Sequence, residues 1–211
     1  MGGPIPKQYL SLAGKPVLYN TIHAFFKAFD DIHIILVHAA EDMLHLQKVL
    51  SYFTDKKITL VHGGKTRFHS VKNGLQKIKE PAVIFVHDGV RPLISTDLIH
   101  QCYTQALEKG NAIPALPLKD SIRELKGSVN FAADRNIFRA IQTPQTFLSE
   151  ILLPAFDQPY EEAFTDEATV VEKSGHTIYL INGQESNIKI TSREDLWLAE
   201  EILQRQPESG R

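Results

Sequence analysis

The 211-residue sequence has one cysteine, Cys102, which excludes an internal disulfide and fits a reducing compartment. No apolar run approaches the length needed to span a bilayer. Residues 1–8 lack the apolar stretch of a secretory leader. No membrane role is expected, and a cytoplasmic location is. With 23 Lys and Arg against 25 Asp and Glu, the chain also lacks the basic excess of a general nucleic-acid binder. There is no internal repeat, no low-complexity linker and no His, Cys or carboxylate spacing of the zinc type. What is present is ordinary globular composition, 43% hydrophobic and 23% charged, enough to bury one core. Residues 1–211 read as a single domain.

Short apolar or β-branched runs at 32–37, 58–61, 82–86, 112–116, 177–181 and 187–190 read as strands. Nearly continuous apolar strands suit a sheet covered on both faces. Between them lie helical patterns. Leu18, Ile22, Phe25, Phe26 and Phe29 share one face, Val71, Leu75 and Ile78 another, and Leu98, Ile99, Cys102 and Ala106 a third that Gly110 stops. Cys102 is expected to pack inside its helix. The last helix is expected to start with a capping box between Thr191 and Glu194. This alternation predicts an α/β fold with a mostly parallel sheet and helices on both faces. Residues 119–139 are polar and broken by Lys126-Gly127-Ser128, as in a hairpin that leaves the sheet. A lone hairpin needs a partner surface, which points to a dimer. Residues 206–211 read as a frayed tail.

In an open parallel sheet, ligands gather beyond the carboxyl ends of strands. After 58–61 come Gly63 and Gly64, then Arg67 and Ser70 in a first helical turn. Such a turn lets backbone N–H groups approach an anion or base edge, or is a plain strand-to-helix turn. After 82–86 come His87, Asp88, Gly89 and Arg91. An Asp followed by an Arg at a strand end handles a metal or phosphate, or is a turn contact. His87 fits a hydrogen-bonded strand-end residue. Thr165 is a candidate N-cap with two acids behind it. Lys189 stands in an otherwise apolar strand, where a lysine needs an anion. Lys7, Arg67, Arg91, Arg135 and Lys189 all lie in loops or at strand ends. Cations converging on one cleft indicate an enzyme acting on phosphates.

Eight segments occur in an order that resembles the 2-C-methyl-D-erythritol 4-phosphate cytidylyltransferases. They are Pro6-Lys7-Gln8-Tyr9; Gly63-Gly64 with Arg67 and Ser70-Val71; His87-Asp88-Gly89-Val90-Arg91-Pro92; Lys119-Asp120-Ser121-Ile122; Asp134-Arg135; Gln142-Thr143-Pro144-Gln145; Thr165-Asp166-Glu167-Ala168; and Asn187-Ile188-Lys189-Ile190-Thr191. The resemblance implies a Rossmann-like nucleotidyltransferase sheet with a protruding β-arm, residues 119–139, exchanged across a homodimer. It implies cytidylyl transfer from CTP to the methylerythritol phosphate, with release of pyrophosphate, in isoprenoid precursor biosynthesis. Lys7 and Lys189 would be catalytic. Gly63, Gly64, Arg67, Ser70, Asp88 and Gly89 would hold the nucleotide. Arg91, Thr165 and Lys189, with Ser121 and Arg135 from the partner's arm, would hold the polyol phosphate. Asp88 would stand beside a Mg²⁺ carried chiefly by the triphosphate. The substrate's own phosphate would attack, so no protein nucleophile is needed.

The family begins with a strand and a glycine-rich loop ending in Arg-Met, and Met1 aligns with that Met. The strand and most of the loop are then expected to be missing, leaving neighbouring strands unpaired. A natural chain that starts earlier is the favoured explanation, and an inactive truncated CTP-binding relative is the other. A ribitol-5-phosphate cytidylyltransferase is the nearest alternative activity. The Asp88-Gly89 pair and residues 71–75 lean toward the methylerythritol enzymes.

Overall fold

A computed structural model describes residues 5–205. The expectations for residues 1–4 and for the tail from 206 lie outside the described residues. The chain runs through β1 (Ser11–Leu12), β2 (Lys15–Pro16), α1 (Val17–Ala28), β3 (Ile34–His38), α2 (Met43–Leu50), β4 (Ile58–His62), α3 (Arg67–Leu75) and β5 (Val83–Val86). It continues with α4 (Thr96–Lys109), β6 (Asn111–Pro117), β7 (Ile122–Lys126), β8 (Val129–Ala133), β9 (Arg139–Ile141) and β10 (Gln145–Leu148). It ends with α5 (Ser149–Ala155), α6 (Glu167–Lys173), β11 (Leu180–Asn182) and α7 (Arg193–Arg205).

The helical faces form largely as their spacing predicts, except that Phe29 is the C-cap of α1 and Ile78 lies beyond the end of α3, both half-buried. Leu18, Ile22, Phe25 and Phe26 of α1 are buried, as are Leu98, Ile99, Cys102 and Ala106 of α4. Gly110 ends α4 at φ 89°, a conformation glycine adopts without steric cost. Burial pushes the Cys102 thiol up to about 12, so it packs as a small apolar group. Two helical starts differ from expectation. At α6 the cap is Asp166, with a reciprocal box to Thr169, because its carboxylate reaches the Thr169 N–H at 2.9 Å. Thr165 sits one residue outside. At α7 the Asp195 carboxylate accepts from the N–H groups of Thr191 and Ser192, and Ser192 Oγ accepts from Asp195 N–H, so Asp195 rather than Glu194 closes the turn.

β5 and β6 both pair antiparallel with β10, so they run in one direction, and β11 joins β6 in parallel. β3 and β4 form a separate parallel pair. The sheet is thus mixed α/β, with a mostly parallel frame and β10 inserted in reverse. Among the described residues, β3 pairs only with β4 and β5 only with β10. The space between them is a cavity of about 1320 Å³, lined by apolar residues such as Ile34, Leu36, Ile84 and Val86. The run at 187–190 is not a strand. It is an irregular segment held by Ile190 N–H on Val90 O, with Ile190 fully buried. Among the described residues β7 and β8 pair only with each other, so 122–133 is a hairpin standing off the sheet, turning at Gly127 with φ 61°. Arg139, at the end of the expected arm, already pairs with Pro117 of β6 as the start of β9.

Candidate active site

β4 delivers the chain to Gly63 and Gly64. A Cβ on Gly64 would lie 2.4 Å from His69 Cβ, so only glycine fits so close to the first turn of α3. Ser70 Oγ accepts from Gly64 N–H at 3.0 Å and donates to Thr66 O at 2.9 Å, which locks the turn to the helix. Arg67, the first residue of α3, forks onto the Glu167 carboxylate, Nη1 to Oε1 and Nη2 to Oε2, the latter at 2.8 Å. Burial opposes charge on both partners. Glu167 nevertheless holds the guanidinium charged, with Asp88 and Asp166 adding to that hold.

β5 delivers His87 and Asp88. The Asp88 N–H donates to Thr143 Oγ1 at 3.1 Å. Its Oδ2 meets Lys189 Nζ at 3.1 Å and Arg91 Nε at 3.3 Å. Burial alone would favour the protonated acid, but Lys189, Arg91 and Arg67 hold the carboxyl below its ordinary range. Arg91 is only 9% exposed and donates to Asn187 O at 2.8 Å. Asn187 is fully buried and donates to Thr143 O at 2.8 Å. Gly89 O accepts from Thr21 of α1 at 3.1 Å. His87 is the hydrogen-bonded strand-end residue that was expected: Nε2 lies 3.1 Å from Arg91 O and Nδ1 lies 3.0 Å from Thr143 Oγ1.

The fold therefore gathers Arg67, Arg91 and Lys189 around Asp88. Arg67, Ser70, Asp88 and Gly89 line one cavity together with Gln8 and Tyr9. Lys7 belongs to the short 3-10 turn Lys7–Tyr9. That turn is tied down because Gln8 donates to the buried Asp42 at 3.1 Å. Burial and the Asp42 charge push the Tyr9 hydroxyl up to about 12. Lys189 is not buried as its apolar neighbours imply: its side chain is 44% exposed, because the segment is irregular and turns it toward Asp88. Thr165 is exposed immediately before the α6 cap. Ser121 and Arg135 lie instead in the hairpin arm, lining a second cavity of about 580 Å³. Arg135 there donates to Lys119 O.

Four supporting residues escape the strand-end reading: Asp42, Thr143, Asn187 and Glu167. Thr143, Glu167 and Asn187 lie in segments that carry the family resemblance but had no role assigned to them, and Asp42 lies in none; their bonds become visible only when distant segments meet. No group of three His, Cys, Asp or Glu side chains suited to a metal occurs among the described residues.

The family model described as 2-C-methyl-D-erythritol 4-phosphate cytidylyltransferase matches residues 1–205. An enzyme of that name from Phocaeicola vulgatus is 41% identical over 204 residues, covering 96% of this chain and 93% of the relative. One from Porphyromonas gingivalis is 42% identical over 205 residues, covering 96% and 91%. The crystal structure of 4-diphosphocytidyl-2C-methyl-D-erythritol synthase from Anaerococcus prevotii superposes with a TM-score of 0.84 at 26% identity, covering 94% and 93%. The Francisella tularensis 2-C-methyl-D-erythritol 4-phosphate cytidylyltransferase structure gives 0.76 at 32% identity, covering 93% of each chain.

Proposed function

The chain belongs to the 2-C-methyl-D-erythritol 4-phosphate cytidylyltransferase family, a family of nucleotidyltransferases, and on that premise we propose that the Asp88 cluster carries cytidylyl transfer from CTP. The acceptor is 2-C-methyl-D-erythritol 4-phosphate, in isoprenoid precursor biosynthesis. An oxygen of its phosphate attacks the α-phosphorus. The bond to the β-phosphate oxygen breaks, and its electron pair leaves on pyrophosphate. Protein groups need only orient the reactants and stabilise the growing negative charge.

The observation that carries this reading is the pairing of Lys189 and Arg91 with one carboxylate at a strand end, in a site where the Arg67 charge also holds that carboxyl down. Lys7 and Lys189 face the phosphates as charge develops. Gly63, Gly64, Arg67, Ser70 and Gly89 form the nucleotide side. Arg91 and Thr165 form the polyol side. An Arg fork suits a phosphate, as Arg135 would supply.

Lys189 and Arg91 both approach Asp88 at Oδ2, which leaves Oδ1 as the oxygen that would meet an ion. One carboxylate oxygen of this kind fits a Mg²⁺ held mainly by phosphates and water. Such an ion would offset triphosphate charge. Homodimer formation through the arm is supported by Leu125 and Ile137, which are 76% and 75% exposed on or beside the hairpin. In that dimer Ser121 and Arg135 complete the neighbouring chain's polyol site. A cytoplasmic location is supported by the lone reduced Cys102. No helix among the described residues is long and apolar enough to cross a membrane.

Turnover with each polyol phosphate tests the assignment. The methylerythritol phosphate should be preferred over ribitol 5-phosphate, and the reverse preference would reassign the acceptor.

A further inference from the structure

Glu167 has no place in the roles above, yet it is a carboxylate only 1% exposed at the start of α6. An acid buried so deeply is costly unless it is paired and hydrogen-bonded. Its partner is Arg67, whose side chain is 39% exposed and lines the same cavity as Ser70 and Asp88. Two of the five guanidinium N–H groups are taken by the fork onto Glu167. The carboxylate thus fixes the plane of the guanidinium of a residue that lines the cavity.

Glu167 is itself fixed. The adjacent Asp166 accepts from Gln145 Nε2 at 2.8 Å, and the Ala168 N–H donates to Gln145 Oε1 at 2.8 Å. Gln145 is 1% exposed and opens β10, two residues after Thr143, which receives the Asp88 N–H. One rigid path therefore runs from Asp88 through the 143–145 turn to α6 and back through Glu167 to Arg67. It sets Arg67 and Asp88 in a common frame.

We propose that Glu167 is a positioning residue that aims the Arg67 guanidinium at the bound nucleotide. This rests on the assignment of Arg67 to the nucleotide side. A buried bidentate pair resists rotation, and misplacing a charged donor by one methylene weakens the contact it makes. Glu167→Asp keeps the charge but shortens the reach, whereas Glu167→Gln keeps the reach but removes the charge. A residue serving the fold alone would lower the active fraction, and so apparent kcat, without changing KM for CTP.

The test is steady-state kinetics with CTP and the methylerythritol phosphate, comparing Glu167→Asp, Glu167→Gln, Arg67→Ala and the Arg67→Ala/Glu167→Gln double variant. Each single variant should raise KM for CTP about tenfold and leave KM for the polyol phosphate within about twofold. The double variant should match Arg67→Ala, since Glu167 acts through Arg67. Glu167→Asp retains the buried carboxylate and carries the test if Glu167→Gln fails to fold. If Arg67→Ala raises KM for CTP while Glu167→Asp does not, the positioning role is overturned and the nucleotide assignment stands. If Arg67→Ala leaves KM for CTP unchanged, the assignment of Arg67 fails, and the positioning role fails with it.

Discussion

Acidification from pH 7 to pH 5 should weaken the fold through His87. Arg91 O can only accept, so His87 Nε2, 3.1 Å away, carries the proton, and Nδ1 accepts from the Thr143 hydroxyl at 3.0 Å. The ring also packs edge-on against Phe25 at 5.1 Å. Burial pushes its pKa down to about 4, against an ordinary 6.5. Between those values the unfolded chain binds a proton that the folded chain refuses. The stability that neutral His87 provides is therefore complete above 6.5 and is lost as pH falls toward 4. Between pH 7 and pH 5 the loss is about 2 kcal/mol. Urea unfolding at both pH values, followed by Trp197 fluorescence, measures it. His23 and His33 are also shifted down by burial and act in the same direction, so the comparison is with His87→Gln. Asp88 and Asp195, held below the ordinary carboxylate range, act only below about pH 4. Equal losses in wild type and His87→Gln would refute the reasoning.

Lys189→Ala should lower kcat about 100-fold, as loss of a positioned charge donor does. Because the side chain is 44% exposed, solvent screening keeps the stability change within about 1 kcal/mol, and a thermal melt alongside the kinetics separates the two effects. Gly64→Ala should destabilise by about 1–3 kcal/mol through the clash with His69, read by denaturant unfolding. Lys7→Ala should lower kcat with little change in folding, and Arg135→Ala should mainly raise KM for the polyol phosphate. Mixing the Lys7→Ala and Arg135→Ala chains should partly restore activity, which a monomeric site would not allow.

Most of the frame is legible in the sequence because it rests on local periodicity. The 3.6-residue spacing of Leu18, Ile22 and Phe25 and the Gly110 stop leave few alternatives. The strand-end segments were legible for the same reason: Gly63-Gly64 and His87-Asp88 follow unmistakable strands. The segment 187–190 misled, since its alternation looks like a strand. In the fold the Asn187 side-chain amide donates to Thr143 O, and its backbone carbonyl accepts from Arg91 and Gln142 rather than joining a ladder. Both helix caps were displaced by one residue, because Asp166 and Asp195 are carboxylates beside the expected Thr165 and Glu194, and a single residue decides which oxygen reaches the free N–H groups. Glu167 read as a helix-dipole acid, a role met by its position alone. Its pairing with Arg67, 100 residues earlier, is tertiary and leaves no mark in local spacing.

The most direct test of the central claim is pyrophosphate release from CTP by the folded chain, recorded with and without 2-C-methyl-D-erythritol 4-phosphate in the presence of Mg²⁺. The account predicts release that depends on the polyol phosphate and matches its consumption one for one. A folded, CTP-binding chain that releases no pyrophosphate when the polyol phosphate is added would contradict it.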